Sequence, residues 1–561
     1  RIRMVVMAQT LMLTRRPTTM SRVMHAARTL PLEQQGKSFF LAHHASHAGR
    51  FRQFTWEGRK GGWSRVGLMG AAGGMIGGLV LDRQSPSVSM SMSMRGGGEE
   101  GSSSSHRVGA ENLLPGGMIT KEHFFLLPLR HDHSNGGQLE VFVRELVLSK
   151  NKDRADLPSL VFLQGGPGFQ AGRPVTAESG WMKRALEEYR VFLLDQRGTG
   201  RSSPITHETL TMMKDPGEQA EYVSLMRADN IVKDCEEIRK MLLGSDTKWT
   251  VLGQSFGGFC VLSYLSLAPQ GLKEAIITGG LAPVDDGCTA DEVYRATYDR
   301  VAARSEKFYL KYPQHVATVR QIVELLDKEP QRLPGGGVLT ARRFLQLGLC
   351  LGSGSGFEHM HYLLEDPWLR SSDPSAGGKR LSYSFLKAVE DEMSYETNPL
   401  YAIAHETIYC SGVGASKWSA QRIMQERKDF DYKEKLRDPK GKIYFTAEHI
   451  FDWMYDDYLH LQGLKPVAAL LASKQHWTKL YDKERLNACQ VPTAAAVYYD
   501  DMYVERRLSE QTAQEIGCLP GAVPIKTWIT NEYQHSAIRD DGYRVLDVLL
   551  GMLRGSKQIP S

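Results

Sequence analysis

Residues 251–258 read Val-Leu-Gly-Gln-Ser-Phe-Gly-Gly, so Gly253, Ser255 and Gly257 form a Gly-x-Ser-x-Gly pattern. A short apolar run, 250–252, precedes it, and the helix-like run 256–267 follows. A turn that takes a chain from strand to helix this sharply needs small residues two positions either side of the serine. Its backbone is strained and its hydroxyl is thrust outward, which is how a nucleophile is presented. This constrains the fold more than any property of the whole chain, because the pattern works only at the end of a strand buried in a sheet.

The sequence around the turn keeps that rhythm. Runs at 160–163, 191–194 and 250–252 are nearly all apolar and lead into glycine-bearing sequence, as parallel strands covered on both faces do. Between the last two, residues 228–243 place Ile231, Cys235, Ile238, Met241 and Leu242 at helical spacing. Ahead of them, 124–129 and 139–148 are strand-like, the second in Leu-Glu-Val-Phe-Val-Arg-Glu-Leu alternation, which predicts an antiparallel pair with one wet face. The order predicts an α/β fold with a mostly parallel, doubly wound sheet, the α/β-hydrolase architecture.

From about 285 to 485 the pattern changes to amphipathic helices such as 291–312 and 316–326, and strand character returns at 493–499 and 526–530 before a last helix ending near Leu553. A sheet interrupted in this way predicts an inserted helical cap. The expected organisation is a presequence and Ser/Gly-rich linker over 1–106, the first part of the core over 107–284, a helical cap over 285–485, and the rest of the core over 486–561. The chain's 561 residues exceed what one hydrophobic core organises.

An acyl-transfer nucleophile needs backbone donors aimed at the developing oxyanion. Gln164-Gly165-Gly166-Pro167-Gly168 directly follows the run 160–163, and it offers the Gly166 amide; Phe256, after the serine, offers the second. The base and its orienting acid should follow the serine in the order acid, then His, at the ends of late strands. His535 follows 526–530, and Asp500 and Asp501 follow 493–499. Asp501 is the favoured acid and Asp500 its rival.

Other readings are narrower. The formal net charge of +5 is small for this length and gives no reason to expect a nucleic-acid partner. Much of it falls in the first hundred residues, where only Glu33, Glu57 and Asp82 oppose the Arg and Lys before Glu99. That Arg-, Ser- and Met-rich stretch reads as a plastid or mitochondrial transit peptide, the alternative being a cytoplasmic protein. The apolar run 66–81 is interrupted by glycines and is short of the ~20 residues that span a bilayer, so no stable membrane association is expected. The seven cysteines are widely scattered and carry no expected chemistry. His131-x-His133 and His359-x-His361 lack a third ligand at metal spacing, so neither metal nor cofactor is predicted.

Three segments in register resemble the prolyl aminopeptidase (proline iminopeptidase) family of α/β-hydrolase serine peptidases. They are Gly165-Gly166-Pro167-Gly168, then Asp195-Gln196-Arg197-Gly198-Thr199-Gly200-Arg201-Ser202, then Gly253-Gln254-Ser255-Phe256-Gly257-Gly258. The resemblance covers about residues 120 to 555 and is weakest in the cap; Gln164 departs from the His that family members often carry. It implies that cap glutamates bind the free amine of the substrate. Residues 400–409 resemble the amine-binding helix and propose Glu406, and 445–449 propose Glu448. Asp195 and Arg197 are expected to brace the loops around the site.

The expected reaction is removal of N-terminal proline from short peptides through an acyl-enzyme on Ser255, with His535 as base, Asp501 as its orienter, and the Gly166 and Phe256 amides as oxyanion hole. Two alternatives use the same fold: a carboxylesterase or lipase-like hydrolase, and a ligand-binding α/β-hydrolase with little turnover.

Overall fold

The computed structural model describes residues 105–132, 136–285, 287–370 and 379–557. The expected presequence and linker, save their last two residues, lie outside the described residues, as does His133.

In chain order the strands are β1 (His106–Leu114), β2 (Met118–Pro128), β3 (Gln138–Leu148), β4 (Ser159–Leu163), β5 (Arg190–Leu194), β6 (Trp249–Gln254), β7 (Leu272–Thr278), β8 (Gln331–Arg332), β9 (Val338–Leu339), β10 (Thr493–Tyr498) and β11 (Lys526–Thr530). Among the described residues, nine of them form one sheet in the order β1-β2-β3-β5-β4-β6-β7-β10-β11. β8 and β9 make a separate hairpin within the inserted segment. From β1 through β3 to β5 the pairing is antiparallel; from β5 onward every neighbour is parallel.

The apolar runs of the central strands follow from burial on both faces. In β4, Leu160 and Phe162 enter one layer with Val545, Leu546 and Leu549 of the helix Gly542–Leu553, while Val161 and Leu163 enter the other with the helices Ala228–Leu243 and Phe256–Leu267. Successive strand residues point to opposite sides, so a strand covered twice keeps no polar position. Each such side chain contributes roughly 1.5–3 kcal/mol when fully buried.

Strand β1 has no announcement in the sequence. Its residues, His-Arg-Val-Gly-Ala-Glu-Asn-Leu-Leu, are mostly exposed and show no alternation, because it is an edge strand paired only with β2. The expected helices 291–312 and 316–326 are Ala290–Lys311 and Gln314–Lys328. Between β7 and β10 the chain is helical apart from the β8–β9 hairpin and connecting loops, and its apolar side chains join the same buried cluster as one face of the sheet. Among the described residues no helix is long and apolar enough to cross a membrane.

Candidate active site

All the residues expected at the core site follow the C-terminal ends of parallel strands, where an open α/β sheet leaves its crevice. β6 ends at Gln254, and Ser255 takes φ +55° and ψ −123° before the helix Phe256–Leu267 begins. A non-glycine residue held there costs about 1–3 kcal/mol. The surroundings fix it: the Ser255 amide donates to the Thr278 carbonyl at 3.0 Å, and the Gly258 amide donates to the Ser255 carbonyl at 2.7 Å. A Cβ on Gly253 would lie 2.3 Å from the Gly257 carbonyl oxygen, and one on Gly257 would lie 2.0 Å from that of Leu163. The glycines of the motif are therefore a packing requirement of this turn.

His535 lies in the loop after β11, which ends at Thr530; it is buried, and its Nδ1 lies 2.7 Å from Asp501 Oδ2. Asp501 Oδ1 accepts the amides of Tyr503 at 2.9 Å and Val504 at 3.1 Å, so both carboxylate oxygens are held. With Nδ1 facing a carboxylate, the neutral ring carries its proton there and leaves Nε2 as an acceptor. Asp500 turns the other way and pairs with Lys307 at 2.6 Å. The turn at Gly279 and Gly280, after β7, packs against both the elbow and the imidazole: a Cβ on Gly280 would lie 2.4 Å from the Ser255 carbonyl oxygen, and one on Gly279 would lie 3.2 Å from His535 Nδ1.

The loop after β4 lies against the elbow. A Cβ on Gly165 would come within 2.9 Å of Ser255 Cβ, and Gly166 has φ +131°, open to glycine. The Asp195-Gln196-Arg197 segment holds this loop. Gln196 Nε2 donates to the Gln164 carbonyl at 3.0 Å, and Asp195 accepts the Ala171 amide and both terminal nitrogens of Arg173. Arg197 is bidentate to Asp234 at 2.7 and 2.6 Å, with both side chains buried. Removing one partner of such a pair costs about 3–5 kcal/mol.

The two glutamates proposed from the cap differ in surroundings. Glu448 keeps 15% of its side chain exposed; Tyr401 donates to its Oε1 at 2.6 Å, and His405 Nε2 lies 3.5 Å from its Oε2. Burial alone would raise its pKa, but His405 and the Tyr401 hydrogen bond outweigh that and hold it below the usual range, with His535 adding to the effect. Glu406 is buried, and its oxygens accept the amides of Ser419 at 3.2 Å and Ala420 at 2.9 Å, at the start of the helix Ser419–Glu426. Burial pushes its pKa up. His405 acts electrostatically on both carboxylates.

Sequence reasoning did not single out Tyr401 or His405. Their spacing of four within 399–409 was the available signal, since it sets two side chains on one helical face. The histidines weighed as metal ligands have other partners: His131 pairs with Asp234, His359 with Glu392, and His361 with His315. Among the described residues no group of three potential ligands gathers.

A mostly parallel sheet with a serine elbow, a buried Asp–His pair and a glycine-rich loop at its strand ends defines an α/β-hydrolase, and the α/β hydrolase fold family matches residues 158–325. The chain is 45% identical over 442 residues to a proline iminopeptidase of Aeromonas sobria, covering 78% of this chain and 97% of that protein. It is 35% identical over 443 residues to a proline iminopeptidase of Aspergillus aculeatus, covering 78% and 94%. The chain belongs to the proline iminopeptidase family.

Proposed function

We propose that the protein is a serine aminopeptidase that releases N-terminal proline from short peptides. The observation that carries this reading is the partly open Glu448 carboxylate, held by Tyr401 and His405 and near enough to His535 to feel its charge, because a cationic amine leaving water needs a hydrogen-bonded anion. Glu406 supplies a second carboxylate next to a cavity lined by Tyr409, Ser416 and Ser419.

With the amine anchored, the first peptide carbonyl sits beside Ser255. His535 Nε2 takes the hydroxyl proton as Oγ attacks the carbonyl carbon, and the Gly166 and Phe256 amides receive the oxyanion. Collapse breaks the C–N bond, and His535 returns the proton to the leaving amine. Water, deprotonated by His535, then cleaves the prolyl ester and frees Ser255.

The test is hydrolysis of proline 4-nitroanilide beside alanine 4-nitroanilide and 4-nitrophenyl butyrate, by the protein and its Ser255→Ala variant. Proline-selective amidase activity lost in the variant is expected. Ser255-dependent cleavage of the butyrate alone would make the protein an esterase.

A further inference from the structure

The imidazole of His535 is held by Asp501 through one atom, Nδ1. A single hydrogen bond fixes the distance to that atom and leaves the ring free to tilt about it, yet Nε2 must point at the Ser255 hydroxyl for a proton to pass. Something else has to set the plane of the ring.

Tyr503 is placed to do this. Its ring meets that of His535 edge to face, with centroids 4.7 Å apart and planes at 74°. Such pairs are attractive and depend on geometry, so the contact opposes tilting. Tyr503 is itself held at both ends. Its amide donates at 2.9 Å to Oδ1 of Asp501, the carboxylate that holds His535, and its hydroxyl donates to the carbonyl of Leu349 in the inserted segment. The space around the ring is closed as well: a Cβ on Gly352 would lie 2.2 Å from the Tyr503 hydroxyl oxygen. Burial pushes the phenol pKa up and Glu448 adds to the effect, so the hydroxyl stays protonated and remains a donor.

We propose that Tyr503 is a positioning residue for acyl transfer: its ring fixes the plane of the His535 imidazole, and its hydroxyl ties that ring to the inserted segment. This role rests on His535 serving as base to Ser255, as in the reaction proposed above, and is independent of which amine the site accepts.

Tyr503→Leu should lower kcat on proline 4-nitroanilide about 10-fold or more while KM stays within about twofold. Tyr503→Phe keeps the ring and should hold kcat to within about threefold of wild type. Labelling of Ser255 by a fluorophosphonate, which needs the same base but no proline, should slow in Tyr503→Leu by a similar factor and recover in Tyr503→Phe. Tyr503→Met fills the space without a ring and carries the test if Tyr503→Leu does not fold. Unchanged kcat in the ringless variant, a loss confined to KM, or a Tyr503→Phe variant as slow as Tyr503→Leu overturns the proposal. Wild-type protein that labels at Ser255 but leaves the proline substrate intact refutes the proline reading alone, and the labelling rates still decide the role of Tyr503.

Discussion

Tyr401 donates its hydroxyl to Glu448 at 2.6 Å while its own backbone amide lies against Gly168, where a Cβ would come within 2.7 Å of it. One residue of the inserted segment thus touches both the carboxylate proposed to hold the substrate amine and the loop proposed to hold its oxyanion.

Glu448→Gln should therefore lower kcat/KM on proline 4-nitroanilide by about 2–5 kcal/mol, roughly 30-fold or more, because the amine loses its charged partner. Tyr401→Phe should cost about 1 kcal/mol. Neither should change Ser255-dependent hydrolysis of an uncharged ester by more than a few-fold; equal losses on both substrates would contradict the assignment.

Asp501→Asn should reduce kcat by about 10⁴, since the amide no longer holds the imidazole in the productive tautomer. Asp500→Asn removes only a surface pair with Lys307, and should change kcat little and stability by at most about 1 kcal/mol. Steady-state kinetics on both variants, with thermal midpoints, decides between the neighbours.

Glu406 titrates above its ordinary value because it is buried. Its protonated form is favoured in the folded state, so the stability it contributes is full below the unfolded pKa and is lost as pH rises through the folded one. Glu406→Gln stays neutral throughout. The midpoint difference between variant and wild type should move in the variant's favour as pH rises from about 4 to 7, and a flat difference would refute the linkage.

Gly257→Ala should prevent the elbow from forming, because its Cβ would lie 2.0 Å from a backbone oxygen that cannot retreat without shifting β4. A loss of more than about 4 kcal/mol, or no soluble protein, is expected. Midpoints from denaturant titration measure it.

Much of the core was legible because its rules are local. Parallel strands buried on both faces must be apolar, and a strand-to-helix turn that exposes a serine must have glycine beside it, so 160–163, 191–194 and the Ser255 elbow stand out in the chain itself. β1 did not, because an edge strand with exposed side chains has no buried face to impose a pattern.

The sequence alone determined the doubly wound core and the serine at its elbow, because each follows from periodicity or from residue size at fixed spacing. Only the tertiary structure decided which of two adjacent aspartates meets His535, that Tyr401 and His405 stand beside Glu448, and that Glu406 is held by the amides of Ser419 and Ala420. Those contacts join residues well separated along the chain, or depend on which way a single side chain turns, and no local pattern records either.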